Sequence, residues 1–435
     1  MERQYKDSGL KWIGKIPDTW KVDRFKNKFK TGKGLNITKG DLVQEGIPIV
    51  SYGQIHSKQN TGTHLDDFLI RYIPSRLAEE GVSSKVSVGD FIFADTSEDI
   101  DGCGNAVYVD KEIGLYAGYH SVIAFAKHPE QSKYFAYLFL TECWRSQIRM
   151  RVTGIKVFSI SQAILNETTI ILPPIAEQQR IVDYLDEKCG EIDRLIALQE
   201  QMIERLTNYK KSVINDTVTK GLNPNVQFVP SGIDWIGCIP KGWNVKRVKW
   251  ILRERKRYSE DGTEEPLSMS QKYGLIPTRD MDIIPNMASS FVGAKLVYTG
   301  DLVFNKLKAH LGVFAVSSYN GLVSPDYAVY YKRDNSSMKY LEYLFKTPQY
   351  IAEFKKSSTG VGAGLTRLYT DDLFAINCIF PPIAEQLAIA EYLDTKCGEI
   401  DRLIETKRQK IETLKEYKKS VIYDAVTGKT DLWDS

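Results

Sequence analysis

A chain of 435 residues, 43% hydrophobic and 26% charged, has the composition of a water-soluble globular protein and the length for two or three cores. No stretch approaches the roughly 20 apolar residues of a membrane span, and MERQYKDSGLKW lacks the apolar run of a secretory leader, so a cytoplasmic location is expected. A net charge of +3 neither proves nor excludes a local basic surface, and six cysteines without a C-x-x-C pair (Cys103, Cys143, Cys189, Cys238, Cys378, Cys397) predict reduced, buried thiols with no disulfide framework and no zinc site.

In chain order, the first element is a turn, Ser8-Gly9-Leu10-Lys11-Trp12-Ile13-Gly14, followed by Ile16-Pro17 and Trp20. It returns as Ser231-Gly232-Ile233-Asp234-Trp235-Ile236-Gly237, then Ile239-Pro240 and Trp243. Glycines, prolines and tryptophans in this order predict a docking clip pinned by aromatic packing, with a strand over 20–25. The region up to 172 then reads as short strands at 47–52, 85–88, 91–94, 106–109, 121–127 and 168–172, with one helix over 132–150.

Next comes PPIAEQQRIVDYLDEKCGEIDRLIALQEQMIERLTNYKKSVINDTV, from Pro173 to Val218, which recurs 208 residues later from Pro381 to Val426. Both copies keep PPIAEQ, KCGEIDRLI and YKKSVI. The prolines predict an extended lead into a helix. Leu185, Cys189, Ile192, Ile196, Ile203, Leu206 and Val213 fall on a pattern of alternating three- and four-residue steps, two of them run together as sevens, as do Leu393, Cys397, Ile400, Ile404, Ile411, Leu414 and Val421. That spacing is the seam of a helix that packs along another helix. Gly190 and Gly398 are read as ends of a short leading helix, leaving main helices over about 191–218 and 399–426, each roughly 40 Å long. Polar residues also recur: Gln178, Asp186, Lys188, Glu191, Asp193, Arg194, Lys210, Lys211 and Ser212 match Gln386, Asp394, Lys396, Glu399, Asp401, Arg402, Lys418, Lys419 and Ser420. They are expected to present one face to two copies of a partner, with Glu191, Asp193, Arg194, Glu399, Asp401 and Arg402 as its contacts.

The region 243–380 repeats the plan of the first. Gly300-Asp301-Leu302-Val303-Phe304 matches Gly89-Asp90-Phe91-Ile92-Phe93, Tyr343-Leu344-Phe345 matches Tyr137-Leu138-Phe139, and Thr359-Gly360 matches Thr153-Gly154. The order is therefore clip, variable domain, helix, twice over. Four parts follow: 1–172, a first target-binding domain with its clip; 173–222, a helical region; 223–380, a second domain with its clip; and 381–435, a closing helical region. The fold class is α+β, two globular α/β domains separated by two long antiparallel helices in a pseudo-twofold repeat.

No catalytic motif survives inspection. A P-loop needs a glycine five residues before Gly428-Lys429-Thr430, where Tyr423 stands. An adenine methyltransferase needs a polar residue before Pro-Pro and an aromatic after, whereas Leu172 and Ile175, or Phe380 and Ile383, flank these prolines. No strand-to-helix turn suits a cofactor loop at Gly360, Gly362 and Gly364, and Pro325-Asp326 has His120-Ser121 as its counterpart, which argues against a nuclease. Five histidines lie scattered, without metal-ligand spacing. The chain is expected to bind and not to catalyse.

Candidate contacts are loop donors and aromatics between the matched anchors. They are Ser51, Tyr52, Gln54, His56 and Lys58 in the first domain, and Ser270, Gln271, Lys272, Tyr273 and Arg279 in the second. Lys306, Lys308 and His310 follow a strand, and Lys156 and Arg367 follow the paired Thr-Gly turns. Glutamine pairs with adenine and arginine or lysine with guanine, while other cations take phosphates.

PPIAEQ with its EKCGEIDRLI-type helix, duplicated, and SGIDWIGCIPKGW ahead of a variable domain resemble the DNA specificity subunit of a type I restriction–modification enzyme along essentially the whole chain. The resemblance implies two target-recognition domains spaced by antiparallel conserved helices, each reading one half of an asymmetric bipartite site in double-stranded DNA. It implies two methyltransferase (modification) subunits docked on the repeated helices, with restriction (translocase–nuclease) subunits joining them. S-adenosylmethionine, ATP and magnesium would be held by those partners and none by this chain. The acidic loop Asp95–Asp101 departs from the basic Asn305–His310 loop, so contacts do not transfer from one domain to the other. A coiled-coil scaffold for proteins and a DNA-modifying enzyme with an unfamiliar site are the competing readings.

Overall fold

The structure, a computed structural model, describes all residues except 1–2, 11, 155, 271–272, 284–289, 361–365, 431 and 433–435. Its two long helices begin directly after the proline pairs and run over Ile175–Lys220 and Ile383–Val426. At 1.5 Å per residue they measure about 69 and about 66 Å. Gly190 and Gly398 lie inside them, so the expected short leading helices and 40 Å main helices are corrected. Ending a helix at glycine uses its left-handed conformation, which neither residue adopts. A glycine held right-handed costs only about 1 kcal/mol against alanine, and buried Cys189, Ile192, Cys397 and Ile400 pack beside them.

The chain forms two compact units, residues 1–199 with 409–435 and residues 200–408. They cut across the four-part division read from the sequence, because each globular region packs on the start of one long helix and the end of the other. In the first unit Ile181, Leu185 and Cys189 share a core with Val421, Ile422 and Val426. In the second, Ile389 and Leu393 share one with Val218.

Both units contain a four-stranded antiparallel sheet of the same spatial order. In the first it is Phe29–Lys33, Ser121–Ala126, Phe91–Ala94, Ala106–Tyr108; in the second, Leu252–Glu254, Tyr327–Lys332, Leu302–Asn305, Phe314–Val316. Register makes the units superimposable by residue: Ala94 pairs Ser121 as Asn305 pairs Tyr327, and Lys30 pairs Phe125 as Arg253 pairs Tyr331. Two local expectations fail. Residues 85–88 form no strand, since Lys85 makes only an isolated bridge to Tyr116 after the one-turn helix Val82–Ser84. The single helix over 132–150 is two, Ser132–Phe139 and Glu142–Arg149, because Thr141 is extended and its hydroxyl donates to Leu138 O at 2.6 Å.

Each clip is a hairpin, Tyr5–Asp7 on Lys15–Pro17 and Phe228–Pro230 on Cys238–Pro240. The Ser8 amide donates to Gly14 O and the Ser231 amide to Gly237 O, both at 2.9 Å. Trp20 Nε1 donates to Glu177 Oε2 and Trp243 Nε1 to Glu385 Oε2, both at 2.8 Å. Gln178 and Gln386 donate to the carbonyls of Pro173 and Pro381. PPIAEQ is therefore a structural motif: its glutamine fastens the proline turn and its glutamate holds the clip tryptophan. Five cysteines are buried and Cys238 is exposed, against the expectation that all are buried. Among the described residues no helix is long and apolar enough to cross a membrane, and no group of three or more His, Cys, Asp or Glu could hold a metal ion.

Candidate nucleic-acid interface

The matched Gly-Asp turns set the sheets. Asp90 accepts from the Ser87 and Ala126 amides, and burial pushes its carboxyl up. Asp301 accepts from the Tyr298 amide and from Arg255 through two 2.7 Å bonds, while the guanidinium lies 4.7 and 4.6 Å from the Tyr298 and Tyr331 rings.

At the other end of the same strand the units diverge in charge. Counting along the shared register, Asp95 occupies the place of Lys306 and His120 that of Asp326. In the first unit His120 Nδ1 lies 3.3 Å from Asp95 Oδ1. His120 has φ +51°, the one left-handed non-glycine among the described residues, a strained conformation of the kind found at functional sites. The Tyr52 ring lies 4.7 Å from His56 and 6.2 Å from His120, and His56 is held by Thr96 O at 2.9 Å and Asn105 at 3.2 Å. Burial, then Glu98, Asp99 and Asp95, push the Tyr52 hydroxyl up. The acidic loop is braced from behind by Arg149, which donates to Asp101 O at 3.0 Å. Burial and Arg149 lower neighbouring Arg145 to about 10.

In the second unit Lys306 O accepts from the Leu368 amide, bringing the Thr366–Arg367 strand alongside. Arg367 donates to Asp326 at 3.1 Å, and His310 Nδ1 lies 3.4 Å from Thr366 Oγ1. Lys295 is buried, donates to Tyr327 O at 2.6 Å, and is held below the usual lysine range by burial and then by Lys306. One scaffold position thus carries a carboxylate facing an imidazole in one unit, and in the other Lys306 facing Asp326 with its partner Arg367.

Lys306, His310 and Arg367 are therefore brought together, with Lys308 exposed beside them. Lys58 and Lys156 are exposed on loops. Ser51 is corrected as an accessible contact. It is fully buried, packed so closely on Gly118 that a Cβ there would meet its hydroxyl, and its amide donates to Gln54 Oε1 at 3.2 Å. Gln54 is thereby used in a helix cap. Tyr273 is exposed, and exposed Arg279 donates to Glu265 at 2.8 Å. Gln271 and Lys272 lie outside the described residues. The sequence sets the Asp95–Asp101 loop against Asn305–His310 and His120-Ser121 against Pro325-Asp326 without naming Asp95 or His120 as contacts, and the pairing moves His120 one place, onto Asp326; Asn105 and Lys295 were missed.

The recurring helix residues are mostly engaged within each unit. Lys418 donates to both Asp193 oxygens in the first and Lys210 to both Asp401 oxygens in the second, all at 2.7 Å. Tyr137 and Tyr343 donate to Asp186 and Asp394, and Lys188 and Lys396 pair with Glu191 and Glu399. Burial and then these aspartates push both tyrosine hydroxyls well up. Most of the matched polar residues therefore repeat the same contacts within each unit, which by itself gives a reason for their recurrence, while Asp193, Arg194, Asp401 and Arg402 also stay exposed. Arg194 and Arg402 remain exposed, on a surface with equally repeated Leu195 and Leu403, and Tyr209 and Tyr417.

Residues 17–208 match the family described as "Type I restriction modification DNA specificity domain". The chain is 25% identical over 445 residues to the "Putative type I restriction enzyme MjaX specificity subunit" of Methanocaldococcus jannaschii, covering 98% of this chain and 97% of that one. It is 20% identical to the EcoKI specificity subunit of Escherichia coli (strain K12), covering 97% and 91%. A chain from a solved structure on complex assembly and conformational transition of the type I R-M system shares its fold with a TM-score of 0.70, at 16% identity and 95% and 99% coverage.

Proposed function

We propose that this chain, whose residues 17–208 match the type I restriction–modification DNA specificity domain and which is similar along nearly its whole length to type I specificity subunits, is the non-catalytic member that reads DNA for such an assembly. Each unit reads one half of an asymmetric bipartite site in double-stranded DNA. The observation that carries this reading is the charge inversion at one register: Asp95 with His120 against Lys306 with Asp326 and Arg367. Carboxylates accept from the amino groups of cytosine or adenine, and cations donate to guanine, so an identical scaffold with inverted charge suits two different half-sites. Two methyltransferase subunits dock on the repeated helix surfaces that include Arg194 and Arg402, restriction subunits join that core, and the helices set the unread spacer. S-adenosylmethionine, ATP and magnesium serve in the partner subunits.

The test is exchange of residues 20–172 for the same domain of a relative, followed by mapping of methylated adenines in cells that hold the methyltransferase partner. One half of the methylated sequence is expected to change. Alteration of both halves, or methylation by the purified chain alone, overturns the reading.

A further inference from the structure

Positive charge in this chain is concentrated, although its net charge is only +3. Residues 24–33 hold five basic residues and no acidic one, and residues 246–257 hold seven basic and one acidic. The rest of the chain is net negative. Both stretches fold the same way, as a one-turn helix (Phe25–Lys28, Val248–Ile251) leading into the edge strand of the four-stranded sheet.

Beside each edge strand lies an open cleft, of about 760 Å³ in the first unit and about 930 Å³ in the second. Each is lined by a cation and an aromatic ring paired across strands at the same register, Lys30 with Phe125 and Arg253 with Tyr331. Lys33 adds to the first cleft, and Lys256 and Arg257 to the second. Among the described residues none of these five cations makes an ion pair or a side-chain hydrogen bond, and all are exposed. Arg255 differs, being fixed on Asp301. Glu80 in the first cleft lies 3.9 Å from Arg76, and Glu254 and Asp371 line the second. In the first cleft the ring lies against Gly32, where a Cβ would come within 2.7 Å of Phe125.

Lysines on an edge strand also guard against strand-to-strand aggregation. That role needs neither a cleft nor an aromatic partner, and it does not require both to recur at one register. We propose that these two edge strands are phosphodiester-binding sites, one per unit, through which Lys30 and Lys33, and Arg253, Lys256 and Arg257, hold the DNA backbone while other residues read bases. This rests on the reading that the chain binds duplex DNA and names where the backbone is held.

The experiment uses the full chain assembled with its methyltransferase partner and duplexes carrying the sequence it methylates. Affinity is measured across a salt series for wild type, K30Q/K33Q and R253Q/K256Q/R257Q, with K30R/K33R as the charge-preserving control. Each lost phosphate contact flattens the slope of log K against log salt by about 0.9, so the first variant is expected to lose about 2 and the second about 3. Between 50 and 200 mM salt the first variant should then weaken about tenfold less than wild type. The methylated sequence should stay the same, and the arginine control should match wild type. Full affinity with an unchanged slope in a variant of normal melting temperature overturns the proposal, as does a changed methylated sequence. Methylphosphonate linkages in the DNA probe the same contact without mutation. A wild-type complex indifferent to every neutralised linkage overturns the proposal even if a variant aggregates. Absence of any salt-dependent DNA binding by wild type would instead remove the DNA reading itself.

Discussion

Glu177 and Glu385 are matched residues that hold matched tryptophans, yet their removal should not cost the same. Glu177 is 3% exposed and accepts from Trp20 Nε1 at 2.8 Å and from Arg3, whose guanidinium also lies 5.6 Å from the Trp20 ring. Counting back from Trp243 as Arg3 counts back from Trp20 gives Val226, and among the described residues Glu385 has no second, charged partner. Glu177→Ala leaves a buried indole N–H without its acceptor and removes the carboxylate paired with the largely buried Arg3, a loss of about 3–5 kcal/mol. Glu385→Ala leaves only the indole N–H, a loss of about 1–3 kcal/mol. Urea unfolding gives the two losses, and hydrogen exchange at the Ser8 and Ser231 amides reports local opening of each clip. A double-mutant cycle of Trp20→Phe with Glu177→Ala should show a coupling of about 1–2 kcal/mol. Equal losses for the two alanine variants, or a coupling near zero, would refute the assignment of PPIAEQ as the latch of the clip.

Glu342 stands where the first unit has Ala136; burial opposes its ionisation, but Lys346 and Lys339 outweigh this and hold its carboxyl below the usual range. A depressed folded pKa stabilises above the unfolded value of about 4.3 and is lost as pH falls through the folded one, so the urea midpoint should drop below about pH 4, and Glu342→Gln should flatten that drop. Charge reversal at Asp193-Arg194 or at Asp401-Arg402 should cost less than about 1 kcal/mol, since the aspartates are half exposed, yet remove one methyltransferase each in native mass spectrometry. Loss of stability with both partners retained would confine these residues to the helix seam. Inserting a heptad after Gln199 and another after Lys407 lengthens each helix by about 10 Å. Methylation mapping should then show a spacer longer by one to three base pairs between unchanged half-sites, and an unchanged spacer in an active enzyme would free the helices of that role.

The amino-acid sequence by itself determined the duplication, the two helix seams, the clips and the lack of a catalytic motif. Those features are local or periodic, so spacing along the chain reveals them: Leu185, Ile192 and their matches are buried where the three-four pattern puts them. Tertiary structure alone decided the rest. Gly190 could have ended a helix, and packing around Cys189 and Ile192 made it a passing residue. Asp193, read from the sequence as a partner contact, also meets Lys418, 225 residues away in the chain, and only the fold reveals that pairing. Asp95 and His120 meet only because neighbouring strands pair, and the same pairing sets Lys306 beside Asp326. A side chain's use depends on what a distant strand or helix brings within hydrogen-bonding range, and that distance is fixed by register and packing, not by position in the chain.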